Sequence, residues 1–227
     1  MGGALRTLRL LGKGLSDTFE HLLPFAVFSV FWWIGVFLVP LAPGATVALF
    51  AMTDPRHQTN QPDWRDAFGI ARRNFAKGWL LAAVPLPLLL VLGWNLWFYL
   101  GADSRFGLLV PVWFVFLGLT ASVLLASFAV AGLLDRPAGE ALKGGLGVVM
   151  LSPFRWLILT LIGYLIIALG TVLVVPLIFF VPAMLAAIVN RAVLHGLDIK
   201  VFDPLEPTQE REQEARKSGK RRSRFGP

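Results

Sequence analysis

The sequence predicts an all-α protein, a polytopic bundle of helices that spans a membrane. Of its 227 residues, 56% are hydrophobic and only 15% are charged, and the mean hydropathy is +0.67. A water-soluble globule needs more polar side chains than this to cover its surface. Residues 80–100, 107–134 and 156–189 lack charge, and roughly 18 such residues suffice for a transmembrane helix. We therefore expect five full spans, one short half-depth arm and two or three interfacial amphipathic helices.

The first predicted element, residues 1–21, is an amphipathic helix that lies in the lipid headgroup layer. Its apolar residues recur every three or four positions and basic residues lie on one flank, which is typical of interfacial helices. The apolar set is Leu5, Leu8, Leu11, Leu15 and Phe19. Residues 22–196 follow as the predicted transmembrane domain.

The first span is predicted at residues 22–40, and a Pro/Gly break separates it from a second apolar arm at 44–52. This arm is too short to cross a bilayer. Because irregular backbone at membrane depth must be covered by protein, we expect the arm to pack against other helices at half depth, aided by Ala45, Thr46 and Ala48. Such half-helices either build binding sites in transporters or act as scaffolding, and the sequence leaves both alternatives open.

Residues 61–79 form the second predicted interfacial helix, which is rich in aromatic and basic side chains. Its cations are expected to contact lipid headgroups, namely Arg65, Arg72, Arg73 and Lys77. The helix leads directly into span two, at residues 79–100. We expect Pro85 and Pro87 to kink this span because proline removes a helical hydrogen bond.

Span three, at residues 107–134, carries small residues at intervals of four, Gly118, Ser122 and Ala126. Small residues with this spacing let helix backbones approach closely, which predicts a buried packing face. Three more elements complete the domain: a weaker amphipathic stretch at 137–152, expected to be interfacial, and spans four and five at 155–174 and 176–195.

Residues 197–227 are polar and strongly basic, which predicts a disordered cytoplasmic tail. Arg221 and Arg222 are expected to contact anionic lipid headgroups. No specific nucleic acid is expected as a partner, because the tail lacks interleaved aromatic residues. Membrane lipids are the expected partners, together with another membrane protein such as a transporter.

The distribution of Lys and Arg predicts which way the protein faces. Basic residues beside spans are retained in the cytoplasm. If residues 22–52 enter and leave on one side, nearly all of the 21 Lys and Arg residues fall on that side, and Arg105 lies opposite them. We therefore predict a multi-pass protein of a bacterial cytoplasmic (inner) membrane with cytoplasmic N- and C-termini.

The sequence offers little for catalysis. It contains no cysteine, which excludes disulfides, thiolate metal sites and cysteine nucleophiles. The predicted spans contain no Asp or Glu, and the three histidines lie outside the spans or at an end, without metal-ligand spacing. We expect no enzymatic activity, no metal site and no cofactor.

The strongest polar candidates inside the predicted spans are Asn95, Tyr164 and Asn190. One hypothesis is that the three line a polar cavity for a small solute, and an aqueous pocket at mid-membrane would support it. The alternative is that Asn190 bonds a neighbouring helix and that Asn95, beside Trp94 and Trp97, lies in the outer interface.

Three features carry a family resemblance: Phe31-Trp32-Trp33 in the first span, a Pro/Gly break before Ala45-Thr46, and an aromatic-basic segment from Asp66 to Phe75. With these the chain resembles the YesL-like family of bacterial membrane proteins. That family tends to place proline directly before the Ala-Thr pair, whereas Gly44 intervenes here.

The resemblance implies a small helical membrane protein, found in several bacteria in genetic settings for the uptake and breakdown of complex carbohydrates. It carries over no catalytic or ligand-binding residues. We therefore expect a protein that assists another membrane system, such as one for carbohydrate uptake. The alternative is a small solute carrier or channel.

Overall fold

The computed structural model describes residues 12, 13, 15, 18, 22–57, 64–101, 106–199 and 201. The four described residues before position 22 are helical. From residue 22 onward the described helices are α1 (Leu22–Phe37), α2 (Ala42–Met52), α3 (Trp64–Arg73), α4 (Phe75–Ala82), α5 (Pro85–Gly101), α6 (Val110–Leu134), α7 (Ala138–Leu151), α8 (Pro153–Leu173), α9 (Val175–Phe179) and α10 (Val181–Gly196). Short 3-10 turns lie at Val39–Leu41, Pro55–His57 and Phe106–Leu109. These ranges contain no strand, so the predicted all-α class is confirmed.

Three described helical stretches are long and apolar enough to cross a membrane: Phe75–Gly101, Gly107–Leu134 and Pro153–Leu173. They correspond to predicted spans two, three and four. The helices α1 and α10 have 16 residues each. At about 1.5 Å per residue each extends about 24 Å, which is less than the roughly 30 Å of a hydrocarbon core. The described part of the chain therefore has three helices of full spanning length, where the sequence predicted five.

Two helix interruptions fall at prolines. The helices α4 and α5 are separated by Ala83 and Val84, directly before Pro85, which confirms the kink predicted there. The predicted continuous span at 176–195 is corrected, because α9 ends at Phe179 and α10 begins at Val181. Pro182 in the first turn of α10 has no N–H with which to continue the preceding helix.

The short arm, α2, is enclosed by the backbones of other helices. A Cβ atom added at Gly35 of α1, Gly78 of α4 or Gly132 of α6 would come within 2.9 Å of an α2 atom. These helices therefore approach α2 at distances that only glycine permits. Ala45 and Ala48 of α2 are fully buried. The prediction that the arm packs against other helices is confirmed.

The helix α7 packs against the C-terminal half of α6 as a hairpin. A Cβ at Gly145 would lie 2.6 Å from the Ser127 nitrogen, and one at Gly144 would lie 3.3 Å from Val130. The intervening turn contains Asp135 in the left-handed region, with φ at 47°. The sequence predicted an interfacial position for this stretch. The structure adds that α7 lies directly on α6, which the two glycines permit; the interfacial position stays a prediction.

The N-terminal half of α6 packs against α8 along the predicted small-residue face. The Ser122 and Thr160 hydroxyl oxygens lie 2.5 Å apart, and Ser122 also donates to the Gly118 carbonyl at 2.8 Å. Ser122 and Ala126 are fully buried. The prediction of a buried face at Gly118, Ser122 and Ala126 is therefore confirmed. The helix α8 covers this face at Gly118 and Ser122.

Candidate functional site

A cavity of about 250 Å³ lies between α1, α2, α6, α8 and α10. The helix α8 supplies the longest part of its wall, from Trp156 to Ile167. The helix α10 contributes residues from Pro182 to Val189. The wall is almost entirely apolar.

The polar groups in this wall are mostly bonded to the protein itself. The Trp32 indole N–H donates to the Thr46 hydroxyl at 3.0 Å, and that hydroxyl donates to the Ala42 carbonyl at 2.8 Å. Ser122 and Thr160 bond each other. A buried cavity whose polar groups are already paired is expected to stay dry. The cavity is therefore suited to an apolar occupant.

Tyr164 is the one predicted candidate that lines this cavity. Its ring centroid lies 6.1 Å from that of Phe114 on α6. Its hydroxyl makes no hydrogen bond within the described ranges. Tyr164 thus contributes a hydroxyl without a hydrogen bond among the described residues, whereas the other hydroxyl and indole groups of the wall are bonded.

Asn190 lies elsewhere, at the C-terminal end of α2. Its side-chain amide nitrogen donates to the Phe50 carbonyl at 2.8 Å and to the Thr53 carbonyl and hydroxyl, both at 3.1 Å. The residue is fully buried. Its amide oxygen has no hydrogen-bond partner among the described residues. The geometry matches the alternative in which Asn190 bonds a neighbouring helix.

Asn95 lies half-buried on α5, between Trp94 and Trp97, which are both about two-thirds exposed. Neither Asn95 nor Asn190 lines the cavity that contains Tyr164. The three side chains are therefore not brought together there, and the wall that includes Tyr164 is apolar rather than polar.

An ion pair that the sequence interpretation missed joins the end of α2 to the end of α6. The Arg56 guanidinium bonds both carboxylate oxygens of Asp54, at 2.7 to 3.0 Å, and donates to the Leu133 carbonyl at 2.6 Å. The hydrogen bonds that Arg56 donates to Asp54 raise the pKa of Arg56 above its usual value, against partial desolvation. A cation at a helix C-terminus also interacts favourably with the helix dipole. The sequence feature that could have indicated a turn at this ion pair is the turn-forming Asp54-Pro55 dipeptide.

The predicted headgroup cations fall into two groups. Arg65, Arg72 and Arg73 are exposed on α3. Lys77 is half-buried on α4 and pairs with Asp135 at 2.6 Å. Arg221 and Arg222 lie outside the described residues. Contact with lipid headgroups stays a prediction for all of them.

Comparison of the chain with protein-family models, with curated proteins and with solved structures finds no match in any of the three. The resemblance to the YesL-like family stays a prediction from the sequence. Among the described residues, no group of three His, Cys, Asp or Glu side chains is placed to hold a metal ion.

Proposed function

We propose that this chain is a multi-pass protein of the bacterial inner membrane that has no catalytic activity and assists another membrane system. A carbohydrate transporter is the partner that we favour, because the resemblance to the YesL-like family implies that setting. The three apolar helices of spanning length support a membrane location.

In this proposal α1 and α10 also cross the membrane, and α2 returns the chain to the side from which α1 entered, so both chain ends lie in the cytoplasm. The 3-10 turn Val39–Leu41 extends the path of α1, and α9 precedes α10. The two short helices are joined by a hydrogen bond from the Ala183 N–H to the Ser29 hydroxyl at 3.2 Å. The basic residues that flank the longer helices favour this orientation.

The observation that carries the accessory role is the chemistry of the central cavity. Its hydroxyl and indole groups, apart from Tyr164, already bond to the protein. A polar solute that leaves water for such a site loses hydrogen bonds that the wall does not replace, at a cost of roughly 1–3 kcal/mol for each group. The apolar wall thus favours an accessory protein over a carrier of polar solutes.

Purification from native membranes in polymer-bounded lipid discs tests this proposal. We expect a transporter subunit to be recovered at a fixed ratio to the protein. The same subunit should be absent when an unrelated multi-pass protein is purified from the same membranes. Recovery of the protein alone, together with sugar uptake by proteoliposomes that contain it, would favour the carrier.

A further inference from the structure

The helix α8 lines the cavity over a long segment, from Trp156 to Ile167, and a helical segment of that length extends about 16 Å. The part of the wall that α10 supplies, from Pro182 to Val189, extends about 10 Å. Walls of this length can accommodate a narrow, extended group.

An apolar cavity of this size is unfavourable when it is empty. The side chains around a void lose dispersion contacts on one side, and the loss grows with the volume left unfilled. Water does not compensate, because the wall offers it too few hydrogen-bond partners. Hydrocarbon is the filling that restores these contacts.

The wall is continuous with the outer apolar surface of the bundle. Leu125 and Ile167 line the cavity, yet they are 37% and 41% exposed. On α8, Leu161 and Leu165 carry the exposed apolar surface further, at 57% and 59%. In a membrane-spanning chain this outer surface contacts lipid acyl chains. The occupant that reaches the opening is therefore a lipid chain.

We propose that this cavity holds one acyl chain of a membrane lipid, which enters beside Leu125 and Ile167 and completes the packing between α2, α6, α8 and α10. The acyl chain makes dispersion contacts only and needs no hydrogen bond from Tyr164. This proposal depends on the membrane location of the protein and not on the accessory role, so the two can fail separately.

Photolabelling in lipid nanodiscs tests the proposal, with phosphatidylethanolamine that carries a diazirine in one acyl chain as the probe. Ordinary surrounding lipid should label the exposed residues Leu161 and Leu165. Only a chain inside the cavity should label Trp156 and Leu159, which line the cavity and are 1% and 6% exposed. We expect label at both sets in the unmodified protein.

A matched pair of variants locates the label. A Cβ at Gly163 meets only Leu185, at 3.6 Å, so the rest of the side chain in Gly163→Leu occupies the cavity that Gly163 lines. Gly93 on α5 has open space around it and lies outside this cavity, so Gly93→Leu is the control. Gly163→Leu should abolish the label at Trp156 and Leu159, whereas Gly93→Leu should keep it.

Label at Leu161 and Leu165 reports that each variant is folded and inserted. If Gly163→Leu fails this criterion, Ala121→Leu provides the same blockade from α6, since Ala121 also lines the cavity. Tyr164→Phe should leave the label at Trp156 and Leu159 unchanged. Loss of this label in Tyr164→Phe would indicate a polar ligand instead. The proposal is overturned if the unmodified protein shows no label at Trp156 and Leu159, or if blocked variants retain it.

Discussion

The contact between α6 and α7 makes a sharp prediction, because two glycines on α7 differ only in what lies beside them. At Gly145 an added Cβ would lie 2.6 Å from the nitrogen and 2.8 Å from the Cα of Ser127. At Gly147 nothing lies within 4 Å. Gly145→Ala and Gly147→Ala therefore make the same chemical change on the same helix in different surroundings.

The magnitude follows from two opposing effects. Alanine favours a helix over glycine by about 1 kcal/mol, and both variants gain this. Ordinary carbon contacts lie at roughly 3.5 to 4.0 Å, so Gly145→Ala must move α7 away from the backbone of α6. Overpacking of this kind costs typically 1–3 kcal/mol. We expect Gly145→Ala to be less stable by up to about 2 kcal/mol and Gly147→Ala to be more stable by up to about 1 kcal/mol.

Thermal unfolding of the purified protein in detergent, followed by circular dichroism, measures both changes. For a chain of this length, 1 kcal/mol corresponds to a shift of about 2–4 °C in Tm. Gly145→Ala should lower Tm and Gly147→Ala should raise it. If α7 did not lie on the backbone of α6, the two substitutions would behave alike. Equal shifts would therefore refute the hairpin with α6.

Three further predictions concern orientation and buried polar contacts. In intact cells, an impermeant thiol reagent should label Gly101→Cys but not Gly139→Cys, since both positions are open and the proposed topology places them on opposite sides. Asn190→Ala should lower stability by about 1–2 kcal/mol, because it removes the bonds to the end of α2. Arg56→Ala should increase hydrogen exchange at the C-terminal end of α6, where its guanidinium bonds the Leu133 carbonyl.

Each of these has a matched control. Permeabilised cells should label both cysteine variants, and labelling of Gly139→Cys in intact cells would reverse the topology. Asn95→Ala should leave stability unchanged, because Asn95 makes no hydrogen bond within the described residues, and an equal loss in both variants would contradict the role given to Asn190. Exchange in the middle of α6 should not respond to Arg56→Ala, and a uniform increase would indicate general destabilisation.

The sequence predicted those features that depend on local composition. Uncharged runs identified the helices of spanning length, the proline pair located the kink before α5, and the spacing of Gly118, Ser122 and Ala126 identified a buried face. Each of these patterns lies within one helical segment, so it can be recognised without knowing which helices pack against that segment.

The features that the sequence left undetermined depend on residues far apart in the chain. Asn190 bonds Phe50 and Thr53, 140 and 137 positions away. No periodicity within α10 specifies that partner. The amphipathic pattern of 137–152 likewise did not reveal that α7 lies on the backbone of α6, since the pattern shows that one face is apolar but not what covers it. The cavity could not be predicted from the sequence for the same reason, because five helices from different parts of the chain contribute to its wall.

The enclosure of α2 favours one of the two roles open to a half-helix. A half-helix that binds a ligand does so with unpaired backbone groups at its ends. Near the N-terminal end, a Cβ at Gly44 would lie 2.7 Å from the Ala71 carbonyl oxygen, so protein backbone already occupies that space.

At the C-terminal end of α2, the Asn190 side-chain amide donates hydrogen bonds to the Phe50 and Thr53 carbonyl oxygens. Both ends of α2 therefore contact protein at these positions, and these contacts favour the scaffolding role. Gly44→Ala should accordingly reduce the yield of folded protein by disturbing the contact with α3. A normal yield of folded protein would contradict the scaffolding role.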